Sequence, residues 1–286
     1  MDDEIAIVEI DGKDVALDPG CGFCPYGFLD WPKTEVQGIR EVPGDKNTLR
    51  GAFKTAFAKT PSPNYRTNRT ERIGSLLLSE SGSLTGEITV QFRGQEAVRH
   101  RQDAAEKDEP QRAKDLEGEI RAWLPEGATA SLQSSMYWDD VSMPLVVRFN
   151  VVIPQYASAT GKRSVLSTAL FRSENTAAFA SASRTQPVYF AYPYHYLDQV
   201  VIQLPTSLQI EDLPKDEKDY RDFAVYLLHV SNENQALIIH REFAIGKSIF
   251  PLDQYPGLRS FYEQVSNGDG QQVVLRTIAT GSGNAN

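Results

Sequence analysis

Between Gly86 and Phe92, apolar Ile88, Val90 and Phe92 alternate with Glu87, Thr89 and Gln91, the period of a strand buried on one face. Leu145 to Ile153 repeats that pattern, with Val147, Phe149, Val151 and Ile153 facing inward. The period lengthens after Asp108, where Ala113, Leu116, Ile120 and Trp123 recur at helical spacing. Asp108 suits a helix N-cap, because its carboxylate can accept an unpaired backbone N–H, and Pro125 stops the run. Arg112, Lys114, Asp115 and Glu119 fall on the opposite, solvated side. This region therefore reads as strand, helix, then strand, with a sheet covered on one side.

The flanking regions read differently. Ile5, Ile7 and Val8 lead through Asp11-Gly12 into Asp14 to Leu17, a hairpin closed by Asp18-Pro19-Gly20. From Cys21 to about Pro63 the chain is rich in Pro, Gly, Lys and Thr, which predicts an irregular connector anchored by Phe28 and Trp31. Strands are expected at Pro187-Val188, Val200 to Leu204, Phe223 to Val230 and Ala236 to Phe243, the last two joined by a turn over Ser231 to Asn234. Leu258, Phe261 and Val265 share one face of a short helix opened by Pro256. A final strand runs from Val273 to Ile278, and Gly281 to Asn286 reads as a disordered tail. The expected fold is mainly β, or α+β, with antiparallel sandwich-like units and one long and one short helix. Three pieces are expected: residues 1–50 as hairpin plus loop, 65–186 as an α+β sandwich-like unit, and 187–286 as a C-terminal β unit.

Composition narrows the function classes. A net charge of -9 argues against a nucleic-acid partner, since phosphate binding needs a positive surface. No apolar run reaches the ~20 residues of a membrane span. The opening MDDEIAIVEI is acidic and then strand-like, unlike a signal peptide. There is no GxSxG elbow, P-loop, GxGxxG or HExxH, and no cofactor or metal is expected.

Four features offer chemistry. Cys21 and Cys24 form a CxxC pair, which can be half a zinc site or a redox dithiol. The four histidines lack zinc-site spacing and Pro25 and Gly27 follow the pair, so a structural loop is the reading adopted. Trp138-Asp139-Asp140 reads as a turn whose carboxylates serve backbone hydrogen bonds. His195, His229 and His240 read as satisfied sheet residues. The run from Tyr189 to Tyr196 could stack on sugars, an alternative reading as a glycan-binding module, although Tyr is also an ordinary strand residue.

Glu4 to Lys13, Leu17 to Gly20, Phe23 to Gly27 and Trp31 resemble the end of the catalytic domain in bacterial transglutaminase-like proteins. Gly86 to Phe92, the helix to Leu124-Pro125, Arg184 to Tyr192, Leu204-Pro205 and Leu213-Pro214 are similar to those proteins' C-terminal β-rich region. The resemblance implies a Cys-His-Asp active site of which Asp18 matches the Asp, the residue that orients the histidine. The family's histidine would fall near Asp3, where none stands, and its nucleophilic cysteine lies before this chain begins. An orienting Asp without base and nucleophile supplies no triad catalysis. The chain is then expected to be a non-catalytic accessory module, partnered by the transglutaminase-like core or other protein domains and periplasmic if it follows the parent family. The alternative is a thiol acyl-transfer or peptide-hydrolysing enzyme completed by another chain.

Overall fold

The computed structural model describes residues 4–43, 53–171 and 179–278. The chain forms two compact units, Met1–Asn64 and Tyr65–Asn286. The expected tail over Gly281 to Asn286 lies outside the described residues.

In the first unit, β1 (Ala6–Ile10) and β2 (Lys13–Leu17) form the expected hairpin. Asp11 and Gly12, both at positive φ, make its two-residue turn. The stretch after Cys21 is more ordered than its composition suggests. A 3-10 turn spans Trp31–Lys33, and β3 (Gln37–Pro43) pairs antiparallel with β4 (Phe53–Lys59). Ile39 and Phe57 face each other across that ladder and are both exposed, so the apolar positions that usually announce a strand have no buried face here. Leu29 is the buried anchor of the connector; Phe28 is half-buried and Trp31 exposed.

The second unit is organised by one mixed sheet of eight strands. In chain order these are β5 (Arg69–Leu78), β6 (Leu84–Phe92), β7 (Thr129–Met136), β8 (Leu145–Ile153), β12 (Tyr194–Gln203), β14 (Glu217–Arg221), β15 (Ala224–Glu233) and β16 (Ala236–Ile245). Their spatial order is β14-β15-β16-β12-β5-β6-β8-β7. Every pairing is antiparallel except β12 with β5. The expected division at residue 186 falls between strands of this one sheet. A smaller sheet, ordered β13-β18-β10-β9, uses β9 (Ala157–Thr160), β10 (Arg163–Ser167), β13 (Leu208–Asp212) and β18 (Gln272–Thr277). The remaining pair, β11 (Val188–Tyr189) with β17 (Ile249–Phe250), closes the set among the described residues.

Three α-helices accompany the sheets among the described residues, where two were expected. The unexpected one is α1 (Gln95–Ala104), whose buried face carries Gln95, His100 and Arg101 beside Ala97 and Val98. A face so polar leaves no apolar period to read. Helix α2 (Glu109–Trp123) begins as expected, with Asp108 accepting from Gln111 N at 2.9 Å. Helix α3 (Tyr255–Asp269) has fifteen residues and buries Leu258, Phe261 and Val265. The turn between β15 and β16 lies at Asn234 and Gln235, both at positive φ, rather than over Ser231 to Asn234, because Ser231 to Glu233 extend the strand. One cluster of buried apolar residues joins Ile88, Val147 and Phe149 of the large sheet to Leu116 and Ile120 of α2, Phe261 of α3 and Leu275 of β18.

Charges cross that core. Asp198 on β12 stands in register with Arg72 on β5 and with Arg241 on β16. Arg72 grips Asp198 through two bonds of 2.7 and 2.9 Å, and Arg241 reaches it at 3.4 Å. Arg241 also binds Asp269, at the end of α3, through bonds of 2.7 and 2.8 Å, and Tyr226 donates to the same carboxylate at 3.0 Å. Arg72 is further sandwiched by Phe171, Tyr196 and Trp123, whose ring centroids lie 4.4, 4.8 and 5.2 Å from its guanidinium carbon. Burial opposes the charge on Arg241, but Asp269 and Asp198 outweigh it and push its pKa above the ordinary arginine value. The close approach of α3 depends on Gly268, where an added Cβ would lie 2.2 Å from the Tyr226 hydroxyl.

Two predictions follow from this packing. Asp198→Ala leaves two buried guanidinium groups short of charge and should cost about 3–5 kcal/mol in a denaturant titration followed at the tryptophans. Gly268→Ala should cost about 1–3 kcal/mol by overpacking, and Tyr226→Phe in the same chain should relieve part of that loss.

Candidate functional site

Asp18 sits one residue past β2, where Pro19 and Gly20 turn the chain. Its side chain is fully buried. Oδ1 accepts the Gly20 backbone N–H at 3.2 Å, the Asx-type bond expected of Asp before Pro-Gly. Oδ1 also accepts from Lys33 Nζ at 2.7 Å. Lys33 had no signal in the sequence, since it lies fifteen residues away in the 3-10 turn. Oδ2 is buried and has no hydrogen-bond donor among the described residues. A half-satisfied buried carboxylate is costly, so it calls for a reason.

The CxxC pair lies beside it. Cys21 and Cys24 are joined as a disulfide, and a carboxylate oxygen of Asp18 comes within 4.8 Å of both sulfurs. Cys21 N donates to the Asp18 carbonyl at 3.2 Å, which folds the loop back over the turn. The segment is thus a loop, as expected, and its sulfurs are bonded to each other.

Two further polar clusters occur in the second unit. In the first, Arg99 Nη2 contacts Glu96 at 2.8 Å, Glu119 at 3.1 Å and His100 Nε2 at 3.2 Å. The guanidinium thereby fills the position where these three side chains converge. Burial opposes ionisation of Glu119, but His100 and Arg99 outweigh it and hold its carboxyl below the usual range. Glu96 and His100 stand one helical turn apart on α1, a signal lost because that helix was not read. In the second cluster, His195 Nε2 meets Glu242 Oε1 at 2.9 Å while Nδ1 is buried with no partner among the described residues. Burial lowers the His195 pKa, and Glu242 only partly opposes that.

Asp140 and His229 are occupied structurally, whereas His240 is exposed. Asp140 accepts Ser142 N at 3.0 Å and Ser142 Oγ at 2.6 Å, the expected turn. His229 meets Asp216 at 2.8 Å. In the aromatic run, Tyr192 donates to Glu96 and Tyr194 meets Tyr262 at 3.0 Å, so the rings point in different directions and only Tyr189 is exposed. A surface cleft of about 600 Å³ borders Tyr156, Ser266 and Asp269, but the Asp269 carboxylate is committed to Arg241 and Tyr226. No helix among the described residues is long and apolar enough to cross a membrane.

Residues 162–275 match a domain of unknown function, DUF3858. That segment runs from the start of β10 to β18. No curated protein sequence matches the chain. Among solved structures, a "putative protease" from Parabacteroides distasonis is similar over 41% of this chain and 24% of its own, at 10% identity and a TM-score of 0.35. The chain thus spans about a quarter of that protein's length.

His195 generates a pH prediction. A buried histidine with a lowered pKa binds fewer protons folded than unfolded, so its contribution to stability is present above the unfolded value of 6.5 and is lost as pH falls below it. The melting temperature should drop between pH 6.5 and 5, and His195→Gln should flatten that part of the profile; an identical slope in the variant counts against the assignment.

Proposed function

We propose that this chain is a non-catalytic accessory module of a transglutaminase-like protein, with Asp18 as the orienting member of a Cys-His-Asp set whose cysteine and histidine lie on the catalytic core. The observation that carries this reading is the state of the Asp18 carboxylate. Gly20 and Lys33 fix Oδ1, which sets the plane of the group, and buried Oδ2 is left to accept. An imidazole N–H is the donor such an oxygen orients, fixing tautomer and ring direction without itself taking the proton. The DUF3858 match overlaps the part of the chain that resembles the parent family's C-terminal region, from Arg184 to Pro214. In this reading the second unit packs against the core or presents its sheet to another protein. A closed Cys21–Cys24 bond is consistent with an oxidising, periplasmic compartment.

The reading is tested on the purified chain with an amide substrate and a thiol-directed acylating probe. No turnover is expected. Turnover that collapses on Asp18→Asn, with an unchanged melting temperature, would overturn it in favour of an enzyme completed in trans.

A further inference from the structure

We propose that the Cys21–Cys24 loop is a thiol–disulfide exchange site, in which reduction by an external dithiol supplies the hydrogen-bond donor that the buried Asp18 carboxylate lacks. The inference goes beyond the parent-protein reading and stands without it.

Four observations converge. First, the bridge joins residues three apart. Closing so small a loop removes little freedom from the unfolded chain, so the bond sits at the least stabilising end of the disulfide range. Second, Cys21 and Cys24 are only half-buried, and Gly22 between them is exposed, with open space around a would-be Cβ. A small dithiol can therefore reach the sulfurs. Third, the Asp18 side chain is fully buried within 4.8 Å of both sulfurs. Fourth, its Oδ1 is engaged by Gly20 and Lys33 while Oδ2 has no donor among the described residues. A disulfide sulfur carries no proton and can give that oxygen nothing. A thiol can, since S–H is a donor, and an ionised acceptor strengthens the bond.

The chemistry balances as a two-electron, two-proton exchange. A thiolate of the external dithiol attacks one sulfur, the Cys21–Cys24 bond breaks, and a mixed disulfide forms. The dithiol's second thiol then displaces the protein sulfur. The external molecule leaves as its disulfide, oxidised by two electrons, and Cys21 and Cys24 each end as S–H. One of those S–H groups donates to Asp18. Oxidation withdraws it and leaves the buried oxygen unpaired again, so the carboxylate favours the reduced form and makes the disulfide the more oxidising.

The test is a redox titration of the full chain at pH 7 in mixtures of reduced and oxidised dithiothreitol, and separately of glutathione. Samples are quenched by alkylation and the mass of the peptide bearing the only two cysteines is read. Asp18→Ala and Asp18→Asn are titrated alongside, the second because its amide oxygen keeps the Gly20 bond and with it the turn. The expected result is a wild-type disulfide opened by excess reduced glutathione, with both variants shifted toward the disulfide by about tenfold in equilibrium constant, about 30 mV for a two-electron couple. A wild-type bond that stays closed in excess glutathione overturns the proposal. Variants that reduce at the wild-type ratio, or more easily, also overturn it. None of these readouts involves a histidine partner, so failure here leaves the accessory-module reading standing, and inactivity of the chain toward amides leaves this one standing.

Discussion

The row Arg72–Asp198–Arg241, continued to Asp269, is the constraint around which the second unit is arranged. Its charges sum to zero, Arg72, Asp198 and Arg241 are buried, and both guanidinium groups lie against aromatic rings, so the row is tolerated only while every member meets its partner. Asp198 pairs in direct register with an arginine on each side. Sliding β12 by one residue against either neighbour would turn its carboxylate to the opposite face, and sliding by two would separate the charges. Alternating apolar side chains specify which face is inward but distinguish poorly between shifts of two. Ionic complementarity across three strands removes that ambiguity, and the link to Asp269 extends it to the docking of α3.

How much of this was legible depended on whether burial followed apolarity. The strands β6, β8, β15 and β16 and the helices α2 and α3 were read from sequence and follow the periods found there, with Ala113 of α2, only half-buried, as the exception among the nominated residues. Helix α1 was not, because it buries His100 and Arg101; Arg101 is held by the carbonyls of Tyr137, Trp138, Asp140 and Met143. The β3–β4 hairpin was missed for the converse reason, since Phe57 is almost wholly exposed. Asp18 and its Asx turn were visible because Asp-Pro-Gly is a local signal. Lys33 was not, since an ion pair across fifteen residues leaves no mark on spacing or period.

The Arg99 cluster of the second unit shows that a set of ligand-type side chains is defined by what already fills it. Glu96, His100 and Glu119 converge from α1 and α2, yet their common contact is the Arg99 guanidinium of α1. Asp18 and the two sulfurs also converge, but there the carboxylate has an oxygen left over. That residual valence, rather than the count of acidic or sulfur groups, makes the loop of the first unit the more informative place.

The parallel pairing of β12 with β5 has a consequence for how the protein is made. Ladder partners such as Arg72 and Asp198 are 126 positions apart in the chain. On a ribosome, β5 and its hairpin partner β6 emerge well before β12 exists, and they must wait with one edge open. The segment matching DUF3858 has the mirror-image difficulty, because it contains β12 but neither β5 nor β9, the neighbours of β12 and β10 in the two sheets. Excised at those limits, it would carry two raw edges and an ionic row that has lost Arg72, the guanidinium that grips Asp198 most closely. The stretch that sequence similarity delimits is therefore shorter than the one that can fold cooperatively.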